Sequence, residues 1–216
     1  MLMPQRPLIT ATDVDRAARS GQRTLAVPPT AIITPMAQDA LREHGIDVVA
    51  PASALPTSAP RPTTGTPASK TVAIGSDHGG FDYKSTLKKH LDALGWQIID
   101  VGTHTPDSCD YPDFAYAVAL LVQRGEVPLG IMIDGAGLGS AMVANKVSGI
   151  RAACAYNEFT AWNARAHNNA NLLTLGSRTM GIEVVKRMTT VFLETAFEGG
   201  RHQRRVSKID DLDAKP

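Results

Sequence analysis

A chain of 216 residues, 43% of them hydrophobic, is long enough for one sizeable core and an appendage. Its formal net charge of +1 provides no basic excess with which to hold nucleic acid or an anionic membrane. Cys109 and Cys154 lie far apart without CxxC spacing, which points away from a zinc site or a disulfide framework and fits a reducing compartment.

The first stretch, MLMPQRPLITATDVDRAARSGQ, lacks the apolar centre of a secretion signal. No apolar run approaches the roughly 18 residues that cross a bilayer. The expected location is therefore cytoplasmic. In ITATDVDRAARSG a threonine cap and early aspartates precede a short helix that Gly21 ends. TLAVPPTAII reads as one extended segment broken by Pro28 and Pro29. Thr34-Pro35 opens a second helix, PMAQDALREHG, closed by Gly45, and IDVV follows as a strand. Residues 1–50 thus form a small module, marginal by itself, that is expected to dock on something. Residues 51–70, PASALPTSAPRPTTGTPASK, hold one large apolar residue and read as an extended linker.

Residues 71–209 alternate strand and helix, and 210–216 form a tail. TVAIGSD, WQIIDVG, LGIMIDG, IRAACAY and NLLTLGS read as strands. Helices are expected at YKSTLKKHLDALG, with Leu87, Leu91 and Leu94 on one face, at DFAYAVALLVQRG, and around GSAMVANKV, EFTAWNARAHN and GIEVVKRMTTVFLETAF. Continuous apolar strands between helices predict an α/β fold, a doubly wound parallel sheet of five strands covered on both faces. Ligands in such sheets sit beyond the carboxyl ends of the strands, here SDHGG, DGAGLG and GSR. The GAGLG loop precedes a helix and offers its amides to an anion, although a glycine-rich loop alone reads equally well as a tight turn. Arg201 and Arg205, four apart, fall on one helical face and suit a shared anionic ligand, or else a solvated tail.

IGSDHGGFDYK, DYPDFA, GIMIDGAGLGSAMVANKVSGIRAA, ARAHNNANLLTLGSR and FEGGRHQRRV, in that order, resemble the ribose-5-phosphate isomerase B family, which includes the galactose-6-phosphate isomerase subunits. The resemblance implies a Rossmann-like aldose–ketose isomerase that needs neither metal nor cofactor. It further implies a cis-enediolate intermediate and a homodimer whose active sites draw on both subunits. By motif, His78, Arg178, Arg201 and Arg205 would grip the substrate phosphate, a dianion suited to guanidinium forks. His167 would open the sugar ring, Asp77 and Tyr111 would contact ring or open-chain hydroxyls, and Asn168 would bind near C1. For each of these four, a helix cap or a satisfied polar group is the alternative.

One position departs from the pattern. Where most of the family has a cysteine as the base between C1 and C2, this chain has Asp134. The assisting hydroxyl residue is replaced by Ala136, and a glutamate used by another branch would fall at Ser140. Asp134 is therefore the ionisable group expected to act as base, with the amides of Gly135, Ala136, Gly137, Leu138 and Gly139 stabilising the enediolate. The competing role is an Asx-type bond to the loop amides.

TLAVPPTAIITPMAQDALREHGIDVV resembles a short segment at the start of ethanolamine-utilisation cobalamin adenosyltransferases and other proteins of bacterial microcompartment operons. That resemblance implies a shell or cargo protein as partner of residues 1–50, with a dimer extension as the alternative. The expected activity is ribose 5-phosphate to ribulose 5-phosphate. A hexose 6-phosphate of the allose or galactose type, and an inactive sugar-phosphate-binding scaffold, are the alternatives.

Overall fold

The structure, a computed structural model, describes residues 7–50 and 70–213. Of the expected linker only Lys70 is among them, and of the expected tail residues 214–216 lie outside. The described residues fall into two units, 7–50 and 70–213.

In the first unit, β1 (Leu8–Ile9) leads into α1 (Ala11–Arg19). The Asp13 carboxylate accepts from the Thr10 amide at 3.0 Å and from its hydroxyl at 2.9 Å, tying off the helix start. The segment expected to be one broken strand instead supplies two, β2 (Thr24–Ala26) and β3 (Ile32–Ile33), in different sheets. β3 pairs with β1, and β2 with β4 (Asp47–Val49), both in parallel. Pro28 and Pro29 bring no ladder N–H, and the Ala31 amide closes a turn on the Pro28 carbonyl at 2.9 Å. The chain changes sheets there. Strand β1 was not expected, because two residues carry no alternation to read. α2 (Pro35–His44) starts as predicted: the Thr34 hydroxyl accepts from the Ala37 amide at 3.2 Å, and Gly45 ends the helix at φ 60°. Val14, Ala17, Ala37, Ala40, Leu41 and Ile46 form a core of mostly small side chains.

The second unit runs β5 (Thr71–Ser76), a 3₁₀ turn (His78–Gly80), α3 (Phe81–Ala93), β6 (Gln97–Asp100), α4 (Tyr111–Gln123) and β7 (Leu129–Asp134). It continues with α5 (Leu138–Ala144), β8 (Ala152–Cys154), α6 (Glu158–Ala166), β9 (Leu172–Gly176), α7 (Ile182–Glu194) and α8 (Arg201–Asp210). Five strands pair in parallel in the order β6-β5-β7-β9-β8, the doubly wound sheet that the alternation predicted. Val72, Ile74, Ile131 and Ile133 face Leu87 and Leu91 of α3 and Met188 and Phe192 of α7. Leu87 and Leu91 are fully buried, each contributing about 1.5–3 kcal/mol by leaving water, and Leu94 packs against the same cluster. After β5 the chain moves outward to β6, then returns to place β7 on the other side of β5. That reversal opens a crevice at the carboxyl ends of β5 and β7.

Candidate active site

The first residue past β5 is Asp77, and the last of β7 is Asp134. Ser76 pairs in register with Ile133, and the Asp77 amide donates to the Ile133 carbonyl at 3.3 Å. Parallel partners in register share a sheet face, so the two carboxylates emerge side by side at the crevice. Both are buried.

Their surroundings differ. Asp134 Oδ1 accepts from the Ala136 amide at 2.7 Å and from the Gly137 amide; Oδ2 accepts from the Ser140 amide at 3.2 Å and from the Ser140 hydroxyl. Four donors meet about four acceptor positions on a carboxylate. Of the two roles open to Asp134 in the sequence, this is the geometry of the loop bond rather than that of an unencumbered base. The same bonds correct the expected enediolate cradle. Two of its five amides, those of Ala136 and Gly137, are occupied by Asp134, and only Gly135, Leu138 and Gly139 keep theirs for a ligand. Gly137 takes φ 80°, which lets the loop turn into α5.

Asp77 Oδ1 accepts from the Gly80 amide at 3.0 Å, and Oδ2 lies 4.0 Å from His78 Nδ1. Burial pushes the Asp77 carboxyl above its ordinary range and the Asp134 charge adds to this, against the Gly80 amide and His78, which favour the anion. His78 Nδ1 lies 3.1 Å from the Cys109 carbonyl and 3.2 Å from its amide, and burial pushes the half-buried Cys109 thiol up.

The loop after β9 closes the crevice. The Ser177 hydroxyl donates to the Gly79 carbonyl at 2.6 Å, and the Arg178 amide to the Gly135 carbonyl at 3.0 Å. The Arg178 side chain lies over Gly135: a Cβ there would meet its Cδ at 3.7 Å and Nε at 3.8 Å. Tyr111, at the start of α4, packs on Gly139 so closely that a Cβ would meet its ring at 2.6 Å. Asp77, His78, Tyr111, the Asp134–Gly139 loop and Arg178 therefore form one group.

His167, Asn168, Arg201 and Arg205 belong to a second group. His167 Nδ1 lies 2.8 Å from Asn163 Nδ2, and its Nε2 lies 3.4 Å from Glu198 Oε2. An amide that donates to Nδ1 leaves the ring proton on Nε2, directed at Glu198. The His167 ring stacks on His202 at 4.0 Å between centroids and meets Trp162 edge-on at 5.0 Å. His202 is held below the usual imidazole range by burial, then by His167 and Arg201; Arg201 Nε donates to its Nε2 at 3.3 Å. Asn168 Nδ2 donates to Asn163 Oδ1 at 3.3 Å. Arg201 and Arg205 are exposed on α8, on one face as their spacing predicted. Among the described residues, no hydrogen bond of this group reaches the first.

Sequence reasoning passed over Ser140 as donor to Asp134, and Asn163, Glu198 and His202 around His167. Asn163 could have been found by its four-residue spacing from His167 on a helix. Glu198 and His202 stand inside the quoted FEGGRHQRRV but carried no assigned role.

His167, Glu198 and His202 offer ligand atoms within 4.8 Å of one another. The fit to a metal is poor: stacked, near-parallel imidazoles direct their lone pairs side by side, and Arg201 both donates to His202 and repels a cation.

Comparison with known proteins places the second unit in a family. Residues 72–209 match the family described as Ribose/Galactose Isomerase. Ribose-5-phosphate isomerase B of Escherichia coli strain K12 is 42% identical over 146 residues, which are 68% of this chain and 98% of that protein. The solved ribose-5-phosphate isomerase B of Clostridium thermocellum superposes with a TM-score of 0.66 at 44% identity, covering 67% of this chain and 97% of that one. The Mycoplasma genitalium ribose-5-phosphate isomerase B, solved with bound ribulose-5-phosphate, gives 0.66 at 41% identity over 68% and 97% of the two chains.

Proposed function

The chain belongs to the ribose/galactose isomerase family, and from that membership we propose that it interconverts ribose 5-phosphate and ribulose 5-phosphate. The observation that carries this reading is the meeting of two buried carboxylates, loop amides and Arg178 at the crevice between β5 and β7. Moving a proton between adjacent carbons of an open-chain sugar needs a carboxylate within reach and donors for the developing oxyanion. The crevice supplies both. His167, its Nε2 proton directed by Asn163, is the group that opens the ring, and Asn168 binds near C1. Arg201, Arg205, His78 and Arg178 take the phosphate.

Because these residues lie in two groups, the complete site is assembled across a homodimer. Leu138, Tyr111 and Tyr156 are exposed apolar side chains at the Asp134 loop, and Met142 on α5 and Phe159 beside Trp162 are each 68% exposed; exposed apolar side chains of this kind suit a subunit interface. Residues 1–50 form a docking module for a microcompartment shell or cargo protein; their own small core supports a separate role. No helix of the described residues is long and apolar enough to cross a membrane.

The test is a coupled assay of the purified protein with ribose 5-phosphate, then with allose and galactose 6-phosphates. Turnover of the pentose phosphate is expected. Turnover confined to a hexose phosphate would move the substrate to six carbons, and turnover of none would leave a binding protein.

A further inference from the structure

Most of the family places the C1–C2 base at the position of Asp134, yet here that carboxylate is bound on all sides by the loop it begins. We infer that the proton is carried instead by Asp77, and that Asp134 serves as a fixed anion that holds the loop closed. This rests on the isomerase reading above.

Three observations place Asp77 in that role. It extends β5 at the strand reversal, on the same face as Asp134, where ligands of this fold are held. Its carboxylate meets only backbone amides, Gly80 on Oδ1 at 3.0 Å and the adjacent Gly79, with no hydroxyl donor, and Oδ2 has His78 Nδ1 at 4.0 Å. Gly79 packs directly against it: a Cβ there would meet Asp77 Oδ1 at 3.3 Å, Oδ2 at 3.8 Å and the Gly135 amide at 3.6 Å. A carboxylate and the Gly135 amide, a donor for a developing oxyanion, thus flank the same side of Gly79.

The charged groups facing Asp77 are His78 on its own turn and Asp134 from β7. Burial and the Asp134 charge both raise its carboxyl, in the direction that makes a carboxylate a better proton acceptor near neutrality. Two neighbouring carboxylates whose surroundings differ in this way divide the labour, one tied up by loop donors and one exchanging a proton.

The step balances within the substrate. Asp77 takes the proton from C2 of the open-chain aldose, the C–H electron pair forms the C1=C2 bond, and the carbonyl pair moves to O1. The O2 hydroxyl proton passes to O1. The C2=O2 bond then forms as C1 takes the proton back from Asp77, which returns as carboxylate. No metal or redox partner enters.

The experiment follows exchange of the carbon-bound proton of ribose 5-phosphate in deuterated water by proton NMR, with pH profiles, for the parent, Asp77→Asn and Asp134→Asn. Asparagine at 77 keeps the oxygen that accepts from Gly80. Asp77→Asn is expected to lose exchange and turnover by about 10² to 10⁴-fold, the usual span of general-base catalysis, at unchanged melting temperature and unchanged inhibition by inorganic phosphate. The parent's acid limb should lie above the ordinary carboxylate range and be missing from the residual Asp77→Asn activity. Asp134→Asn should lower the melting temperature, and its residual activity should retain an acid limb, shifted to lower pH by loss of the neighbouring charge. Asp77→Asn exchanging at the parental rate would overturn the assignment. So would Asp134→Asn without an acid limb. A parent that exchanges no proton from any sugar phosphate would overturn the isomerase reading itself, and this assignment with it.

Discussion

Arg205 illustrates how far a residue can be read by itself. Its spacing from Arg201 predicted a shared helical face, and α8 presents both arginines exposed on the first turns of a helix. A charge-assisted bond to a phosphate is worth about 1.5–3 kcal/mol, so Arg205→Ala should raise the Michaelis constant for ribose 5-phosphate at least tenfold and leave the melting temperature in place. Steady-state kinetics check this, and an unchanged constant removes Arg205 from the site. Asp134 was legible only as an anomaly. That a carboxylate follows an apolar strand is plain in the sequence, but which donors it meets depends on how the Gly135–Gly139 loop folds back. Residue type does not encode that closure. His167 was legible by motif, whereas its stack on His202 joins α6 to α8 and required the fold.

At the scale of elements, one buried ionic knot ties α3 to the end of β6. Lys84 of α3, itself buried, donates to Asp100 Oδ1 at 2.7 Å and to the Thr103 carbonyl at 2.7 Å, and Lys88 donates to Asp100 Oδ2 at 2.6 Å. Burial opposes the Asp100 charge, but Lys84 and Lys88 outweigh it and hold the carboxyl below its ordinary range. Burial lowers Lys84 in spite of Asp100. Asp100→Asn leaves the lysine without its counter-charge, and breaking such a pair costs about 3–5 kcal/mol, measurable by urea unfolding. A cost under 1 kcal/mol would show the knot to be solvated. A depressed folded-state carboxyl stabilises the fold above its unfolded value near 4 and loses that contribution as pH falls through the lower folded value. Acid unfolding of Asp100→Asn should therefore be less steep than the parent's below about pH 4. The alternation of strand and helix was fully legible, since continuous apolar runs have one burial solution between helical layers. The 3₁₀ turn His78–Gly80 and strand β1 were not, because three and two residues carry no period.

For the whole molecule, the two units own separate cores: one built on Val14, Ala37 and Leu41, the other on Ile74, Ile131 and Phe192. Deleting residues 1–50 should leave isomerase kinetics and sedimentation as a dimer nearly unchanged while removing association with a shell or cargo partner. Loss of soluble dimer would make the module structural. The division of the site into two groups could not be seen in a linear motif string, which places Asp77 and His167 in one sequence without saying that each chain keeps them in different networks.

The central claim, an isomerase whose site is shared between two copies, is tested most directly by mixing subunits. Asp77→Asn and His167→Ala each disable a different half, and each homodimer should be nearly inactive on ribose 5-phosphate. Unfolded together and refolded in equal amounts, random two-fold pairing gives half mixed dimers, each with one intact site, so the mixture should recover about a quarter of parental turnover. A mixture no more active than the two variants apart would contradict the claim.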